Sequence, residues 1–464
     1  MSAADLCFLG AAELGRRLRR RELSPVEVTR AHLERIAALD AGLNAFVRVA
    51  AERALEEART AERELAAGAV RGPLHGVPLA LKDLFDTAGL ATTAGSRILA
   101  GNVPARDAAA VARLRGAGLV LLGKTNLHEF AFGVTTDNPH HGPCRNPWDR
   151  GRSPGGSSGG SGAALAAGLC AASLGTDTGG SVRIPAAACG VVGLKPTLGR
   201  VSRRGVVPLA WSLDTVGPMA RTVEDAALLL EAVAGPDPED EACSVRPGED
   251  YCRELEAGVS GLALGVPQEW FFDGVEPDIV AAVQAALAAL EREGARRVAV
   301  TTPGMAEAHT AHHALLAVEA AAFHGPWLRA RPDEYGDDVR RGLELGSLLP
   351  AVDYVNARRM QPVAHGVFAA ALRSADVLVT PALPAAPPRV GEPVSREPAT
   401  AWNRLLTPVN LAGLPAASVP CGFDGAGLPV GLQVVGRPFA EARVLRVARA
   451  VERAVGWGAR RPAA

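Results

Sequence analysis

The chain has 464 residues, of which 48% are apolar and 21% charged, enough for a large core and unlike a disordered or collagen-like chain. Its 49 Lys and Arg against 50 Asp and Glu leave a formal net charge of −1, which asks for neither nucleic acid nor an anionic membrane as partner. Glycine is the outlier, 51 of 464 residues or about 11% against a usual share of about 7%.

In chain order, the apolar stretch 6–12 precedes Arg16, Arg17, Arg19, Arg20 and Arg21. A secretory signal has the opposite order, and no apolar run reaches membrane-spanning length, so the chain reads as cytoplasmic. The arginines read as the solvated face of a helix. Ser24-Pro25-Val26-Glu27 is a helix start: serine caps, proline takes the first helical position, and glutamate completes a capping box. Val26, Thr29, Leu33, Ile36 and Ala37 then form an apolar stripe at helical spacing. Residues 77–85 read as a strand interrupted by Lys82, 108–117 as a helix, and 119–122 as a short buried strand. Glycine and small residues crowd 139–196, and 222–233 is a helix with Glu224 and Asp225 in its first turn, which suits the dipole. After an acidic, proline-containing loop at 235–249, strands (261–266, 296–301, 376–380, 415–420, 430–435) alternate with alanine-rich helices (276–293, 305–320, 353–373, 440–455). Such alternation predicts an α/β fold with a central sheet covered by helices, and no repeat or linker divides the chain into separate domains.

Seven widely spaced cysteines with no CxxC pair suit reduced, structural thiols. His140-His141 with Cys144, and His312-His313, come nearest to metal-ligand groupings. Adjacent histidines normally point in different directions, so no metal and no cofactor is expected.

The glycine-rich half offers three motifs. Gly118 to Thr125 matches the phosphate-loop pattern GxxxxGK[ST], but its four intervening residues are bulky aliphatics that read as strand rather than as a phosphate cradle. Gly155-Gly156-Ser157-Ser158-Gly159 matches the GxSxG nucleophile elbow, which needs a strand before the serine; residues 149–154 are polar loop. The third motif is the whole segment: Ser153-Pro-Gly-Gly-Ser157-Ser-Gly-Gly160, then Gly175-Thr-Asp-Thr-Gly-Gly-Ser181-Val-Arg-Ile-Pro185, then Cys189-Gly-Val-Val-Gly-Leu-Lys-Pro-Thr197. A Gly/Ser linker would not run straight into the apolar, helix-like stretch 163–170 and a second glycine cluster. Gly179-Gly180 before Ser181 lets successive N–H groups converge on one point, a nest suited to the oxyanion of a tetrahedral intermediate. Residues 151–193 hold 12 glycines in 43 positions, so the glycine excess is concentrated where backbone must approach a serine closely.

On these residues the sequence resembles the amidase signature family. Leu81-Lys82-Asp83, Gly123-Lys-Thr-Asn126-Leu-His-Glu-Phe130, Asp214-Thr-Val-Gly-Pro-Met219, Asn410-Leu-Ala-Gly-Leu-Pro-Ala416 and Gly431-Leu-Gln-Val-Val-Gly436 extend the match in family order over nearly the whole chain. The resemblance implies one large α/β domain over 1–464: a central mixed sheet covered by helices on both faces, with a helical segment at 1–70, the signature core at 71–235, and the remainder of the same domain at 236–464. It also implies a Ser–Ser–Lys triad: Ser181 as nucleophile, Ser157 as bridging serine after a cis peptide bond, and Lys82 as base. Apart from the resemblance, a lysine flanked by Val77-Pro-Leu-Ala-Leu81 and Leu84-Phe85 looks desolvated, which favours the neutral amine. The backbone N–H groups of Thr178, Gly179, Gly180 and Ser181 are expected to hold the oxyanion, and Ser158, Asp177 and Arg183 to brace the loop. No histidine is required, which leaves His128 a pocket or structural residue.

By the same resemblance, Phe130, Ala131, Phe132, Gly133 and Trp211 line an acyl pocket, and its two phenylalanines suit an apolar or aryl acyl group; ordinary core packing explains either phenylalanine equally well. The expected partners are a small amide substrate and water, with no nucleic acid and no membrane, and a homodimer is left open. The main rival is the glutaminase subunit of a tRNA-dependent amidotransferase. Against it, Ile184 stands where that subunit usually has glutamine, and Asn403 where an aspartate holds the amino group of free glutamine. The same residues also admit a carbamate or urea hydrolase on this site and, in a different class, a non-catalytic scaffold.

Overall fold

The computed structural model describes residues 3–463 apart from 396, 398 and 400. In its first half the strands are β1 (Phe46–Val49), β2 (Pro78–Lys82), β3 (Val120–Thr125), a small ladder β4 (Asp137–Asn138) with β5 (Gly142–Pro143), β6 (Ala172–Thr176), β7 (Val192–Lys195) and β8 (Val216–Ala220). The second half adds β9 (Ala263–Pro267), β10 (Arg296–Val300), β11 (Val377–Pro381), β12 (Ala416–Phe423) and β13 (Pro429–Val435). Among the described residues, eleven of these strands form one sheet in the order β1-β3-β2-β6-β8-β7-β12-β13-β11-β9-β10. β2 pairs parallel with β3 and β6, β9 pairs parallel with β10 and β11, and the strands from β6 through β8, β7, β12 and β13 to β11 pair antiparallel, so the sheet is mixed as expected.

Side-chain alternation explains why helices cover both faces. Leu79, Leu81 and Leu121 enter one apolar cluster while Ala80, Val120 and Leu122 enter another, so each strand is apolar throughout and must be shielded on both sides. No helix among the described residues is long and apolar enough to cross a membrane.

Several local expectations change. Lys82 ends β2 rather than interrupting a longer strand: the chain turns there, with the N–H groups of Leu84 and Phe85 donating back to the Lys82 carbonyl at 2.7 and 3.2 Å. β3 runs on through Gly123-Lys124-Thr125, which removes the phosphate-loop reading; Lys124 is buried and pairs with Asp83 at 3.0 Å. The helix Pro25–Leu43 begins at its serine cap, with Ser24 Oγ accepting from Val26 and Glu27 N–H at 3.0 and 3.3 Å. Its buried side runs through Val28, Ala31, His32 and Ile36. Of the expected stripe, Thr29 and Ile36 are buried, Val26 and Leu33 half-buried and only Ala37 exposed; the helix packs against Ala51–Ala66 and Ala3–Cys7. The expected helix 305–320 extends over Met305–Ala330, with Pro326 inside it.

Candidate active site

Short β-strands deliver the polar groups to one point. β2 ends at Lys82 and its neighbour β6 ends at Thr176, so the two side chains meet: Lys82 Nζ lies 2.9 Å from Thr176 Oγ1 and 2.7 Å from Ser157 Oγ. Lys82 is fully buried. Loss of hydration pushes its pKa down from 10.5 to about 7, with Asp177 and Asp214 pulling only partly the other way. The Gly156–Ser157 peptide bond is cis. Glycine is required at 156 because a Cβ there would sit 1.8 Å from the Thr135 carbonyl oxygen.

Ser157 and Ser181 are carried by adjacent segments. The Ser158 N–H donates to the Ser181 carbonyl at 3.2 Å, and Ser158 Oγ donates to the Thr176 carbonyl at 3.3 Å. The loop between β6 and the helix Arg183–Cys189 is wound around Asp177. One carboxylate oxygen accepts from Gly180 N–H (2.8 Å), Arg183 Nη2 (2.9 Å) and Asn410 Nδ2 (2.8 Å), and the other from Val182 N–H (3.2 Å) and Arg183 Nε (3.0 Å). Burial raises the Asp177 pKa, but the Arg183 charge and hydrogen bonds outweigh it and hold the carboxyl well below the usual range. Arg183 also donates to Gln433 Oε1 at 2.6 Å and Asn410 Oδ1 at 2.5 Å. Asp177 and Arg183 thus bind each other and tie the loop to Asn410, and Ser158 ties it to Thr176 and Ser181.

One expected oxyanion donor is corrected. The Gly180 N–H is committed to Asp177, because the positive φ of Gly180 (112°) turns that amide inward. No described residue accepts a hydrogen bond from the N–H of Thr178, Gly179 or Ser181. Those three residues line a cavity of about 510 Å³, together with Ala131, Phe132, Gly133 and Asn403.

The two aromatic ends of the expected acyl pocket lie elsewhere. Phe130 and Ala131 both have left-handed backbone (φ 50° and 60°), which turns Phe130 away from the cavity. Phe130 is 1% exposed and packs against His324 and Tyr335 with ring centroids 4.3 and 5.8 Å away. Trp211, 46% exposed, lines a neighbouring cavity of about 530 Å³ that shares Leu209 with the first. His128 does line the Ser181 cavity, and its Nε2 lies 2.8 Å from Asp338 Oδ2.

Four participants were not singled out as site residues by the sequence: Thr176 beside Lys82, Asp214, which accepts from Thr178 Oγ1 at 2.6 Å, and Asn410 and Gln433 beside Arg183. All four fall inside motifs already apparent in the sequence, but spacing does not say which polar side chains face one another. Among the described residues, Glu231, Asp250 and Cys252 could together reach one metal ion, and none of the three lines the Ser181 cavity.

The sequence profile of the Amidase family matches residues 27–445. The chain belongs to the Amidase family. Two curated relatives similar to this amidase are A subunits of glutamyl-tRNA(Gln) amidotransferase: that of Anaeromyxobacter sp. (strain K) is 44% identical over 98% of each chain, and that of Moorella thermoacetica is 44% identical over 99% of each. Among solved structures, one described as a vestigial protein complex revealing the evolutionary origins of an s-triazine catabolic enzyme superposes with a TM-score of 0.92 at 39% identity, covering 97% of this chain and 99% of that one. A bacterial aryl acylamidase of the amidase signature family superposes at 0.89 and 29% identity, covering 97% of each chain. As a member of this family the amidase is an enzyme acting on amide C–N bonds.

Proposed function

We propose that this amidase is a free-standing hydrolase that cleaves small amides through an acyl-enzyme on Ser181. The observation that carries the reading is the 2.7 Å contact between the buried Lys82 amine and Ser157, beside a cavity in which Ser181 lies. With a pKa near 7, Lys82 is substantially neutral at physiological pH. Neutral Lys82 takes the proton of Ser157 Oγ as Ser157 takes that of Ser181, and Ser181 Oγ bonds to the amide carbon. The N–H groups of Thr178, Gly179 and Ser181 hold the oxyanion of the tetrahedral intermediate. The proton returns along the relay to the leaving nitrogen, the C–N bond breaks, and water releases the acid from Ser181 by the reverse route. Carbamates and ureas meet the same machinery.

The cavity wall supports an uncharged acyl group. Phe132, Val134, Leu209 and Leu316 give it an apolar side. Ile184 is fully buried in an apolar cluster, and Asn403 offers the cavity an amide rather than a carboxylate.

The second reading, the glutaminase component of an amidotransferase, rests on the full-length similarity to the amidotransferase proteins of Anaeromyxobacter and Moorella. Hydrolysis by the purified chain alone, across aliphatic amides, aryl amides, carbamates, ureas and glutamine, separates the two. We expect turnover of aryl or aliphatic amides without a partner. Glutamine hydrolysis that appears only on adding a partner protein would establish the rival. Ser181→Ala should abolish labelling by a fluorophosphonate, and labelling that persists would overturn the nucleophile.

A further inference from the structure

The helix Met305–Ala330 carries four histidines, of which His312 contacts Thr178 and His313 lines the Ser181 cavity, and the mechanism above uses none of them. His312 is fully buried, and its Nε2 lies 2.8 Å from the carbonyl oxygen of Thr178. A carbonyl only accepts, so Nε2 carries the hydrogen and Nδ1 is the bare nitrogen; Nδ1 is buried and has no partner among the described residues. Burial, reinforced by His313 and His309 nearby, pushes the His312 pKa far below the ordinary value and keeps the ring neutral.

The consequence follows from peptide geometry. The C=O of Thr178 and the N–H of Gly179 belong to one planar unit, and in a trans unit they point in opposite directions. A donor that fixes the carbonyl on His312 therefore turns the Gly179 N–H away from that ring, and Gly179 and Ser181 both line the cavity. The ring also fills the space beside Gly179: a Cβ at that position would sit 2.8 Å from His312 Cε1. The next peptide is pinned in the opposite sense, its Gly179 carbonyl accepting from Asn403 Nδ2 at 3.4 Å and its Gly180 N–H donating to Asp177 at 2.8 Å. Without an anchor on the Thr178 carbonyl, the first peptide is free to rotate and align with the second.

We infer that His312 is a positioning residue: its Nε2–H holds the Thr178–Gly179 peptide so that the Gly179 N–H faces the substrate carbonyl and strengthens its hydrogen bond only as the oxyanion forms. The inference rests on Ser181 being the nucleophile. Misdirecting one preorganised donor acts on kcat, because the bond matters most in the transition state.

Two substitutions separate positioning from packing. His312→Phe keeps the ring volume and removes the donor; His312→Gln returns an N–H at the Nε2 position. We expect His312→Phe to lower kcat about 10- to 100-fold with KM within about twofold, and His312→Gln to recover most of the loss. A trifluoromethyl ketone, which forms the tetrahedral adduct, should bind His312→Phe more weakly by the same factor as kcat/KM falls. An unchanged kcat in His312→Phe, or a Gln variant as poor as Phe, overturns the inference. If either variant fails to fold, the imidazole nitrogen shifts of His312 in the wild-type protein decide: a neutral ring with hydrogen on Nε2 supports the anchor, and the Nδ1–H tautomer or an imidazolium refutes it. Labelling that depends on Ser181 alongside normal kcat in His312→Phe refutes this role alone. Labelling independent of Ser181 removes the nucleophile on which it rests.

Discussion

A lysine in water is protonated at neutral pH and cannot accept a proton; Lys82 differs because it has lost its hydration and gained two hydroxyl partners. In the proposed mechanism the neutral form is the base, so kcat/KM for a neutral amide should rise about tenfold per pH unit below about 7 and level off above it. A profile flat from pH 5 to about 8 would assign the base elsewhere. Lys82→Ala should lower the acylation rate by several orders of magnitude, read in single-turnover kinetics. Asp177 works by the opposite logic, an ionised carboxylate stabilised by Arg183 in a buried pair 2.9 Å apart. Its pKa is depressed, so the stability it contributes is present above the ordinary aspartate value of about 4 and is lost as pH falls through the lower folded value. Asp177→Asn leaves Arg183 buried without its counter-charge and should cost about 3–5 kcal/mol in chemical denaturation at neutral pH.

Elements act here by where they stop. β2 and β6 lie side by side in parallel and end together, which places Lys82 and Thr176 at one sheet edge; the helices Gly159–Ala166 and Arg183–Cys189 start just after the two serines. Such tight junctions leave no room for side chains. Gly156→Ala should destabilise the fold by at least about 3 kcal/mol or remove activity, since the Thr135 backbone cannot retreat as a side chain could. The helix Val223–Val233 carries a second device. Its Asp225, expected from sequence to serve its own helix dipole, also accepts from Ala12 N–H at 2.7 Å in the first turn of the helix Ala11–Arg19. Asp225→Ala should therefore lower stability by about 1.5–3 kcal/mol and increase amide exchange in residues 11–19, measurable by hydrogen exchange.

Across the molecule, the active-site loop is tied to distant sequence. Arg183 and Asp177 bond to Asn410 and Gln433, while β7 joins β12 across the middle of the sheet. One continuous sheet and one buried polar network leave no surface along which the halves could separate. A single cooperative unfolding transition should appear in calorimetry, and a fragment ending at residue 235 should not label with a fluorophosphonate. Two resolved transitions would mean the halves fold apart.

The five strands after residue 260 and four of the helices were legible because short apolar runs alternate there with long alanine-rich stretches, whereas the helices Asp337–Leu348 and Thr407–Leu411 were not read. The burial of Lys82 was legible because its apolar neighbours mark it as desolvated, while Ser157 and Ser181 were picked out through the resemblance to the amidase signature family rather than by local pattern alone. β6, β7 and β8 were not, since strands buried on both faces and made largely of Ala, Gly, Ser and Val carry no alternation. Which polar groups meet was also beyond the sequence: His312 is 134 residues from the carbonyl it anchors, and the commitment of Gly180 N–H to Asp177 depends on a backbone angle. Sequence determined that Lys82 is desolvated and that glycine lets backbone approach the two serines closely, because desolvation and backbone permissiveness are local properties of residue type. Tertiary structure alone decided that Gly180 N–H bonds to Asp177 and that Phe130 and Trp211 stay outside the Ser181 cavity, because hydrogen bonds and cavity walls are fixed by direction and distance between segments far apart in the chain.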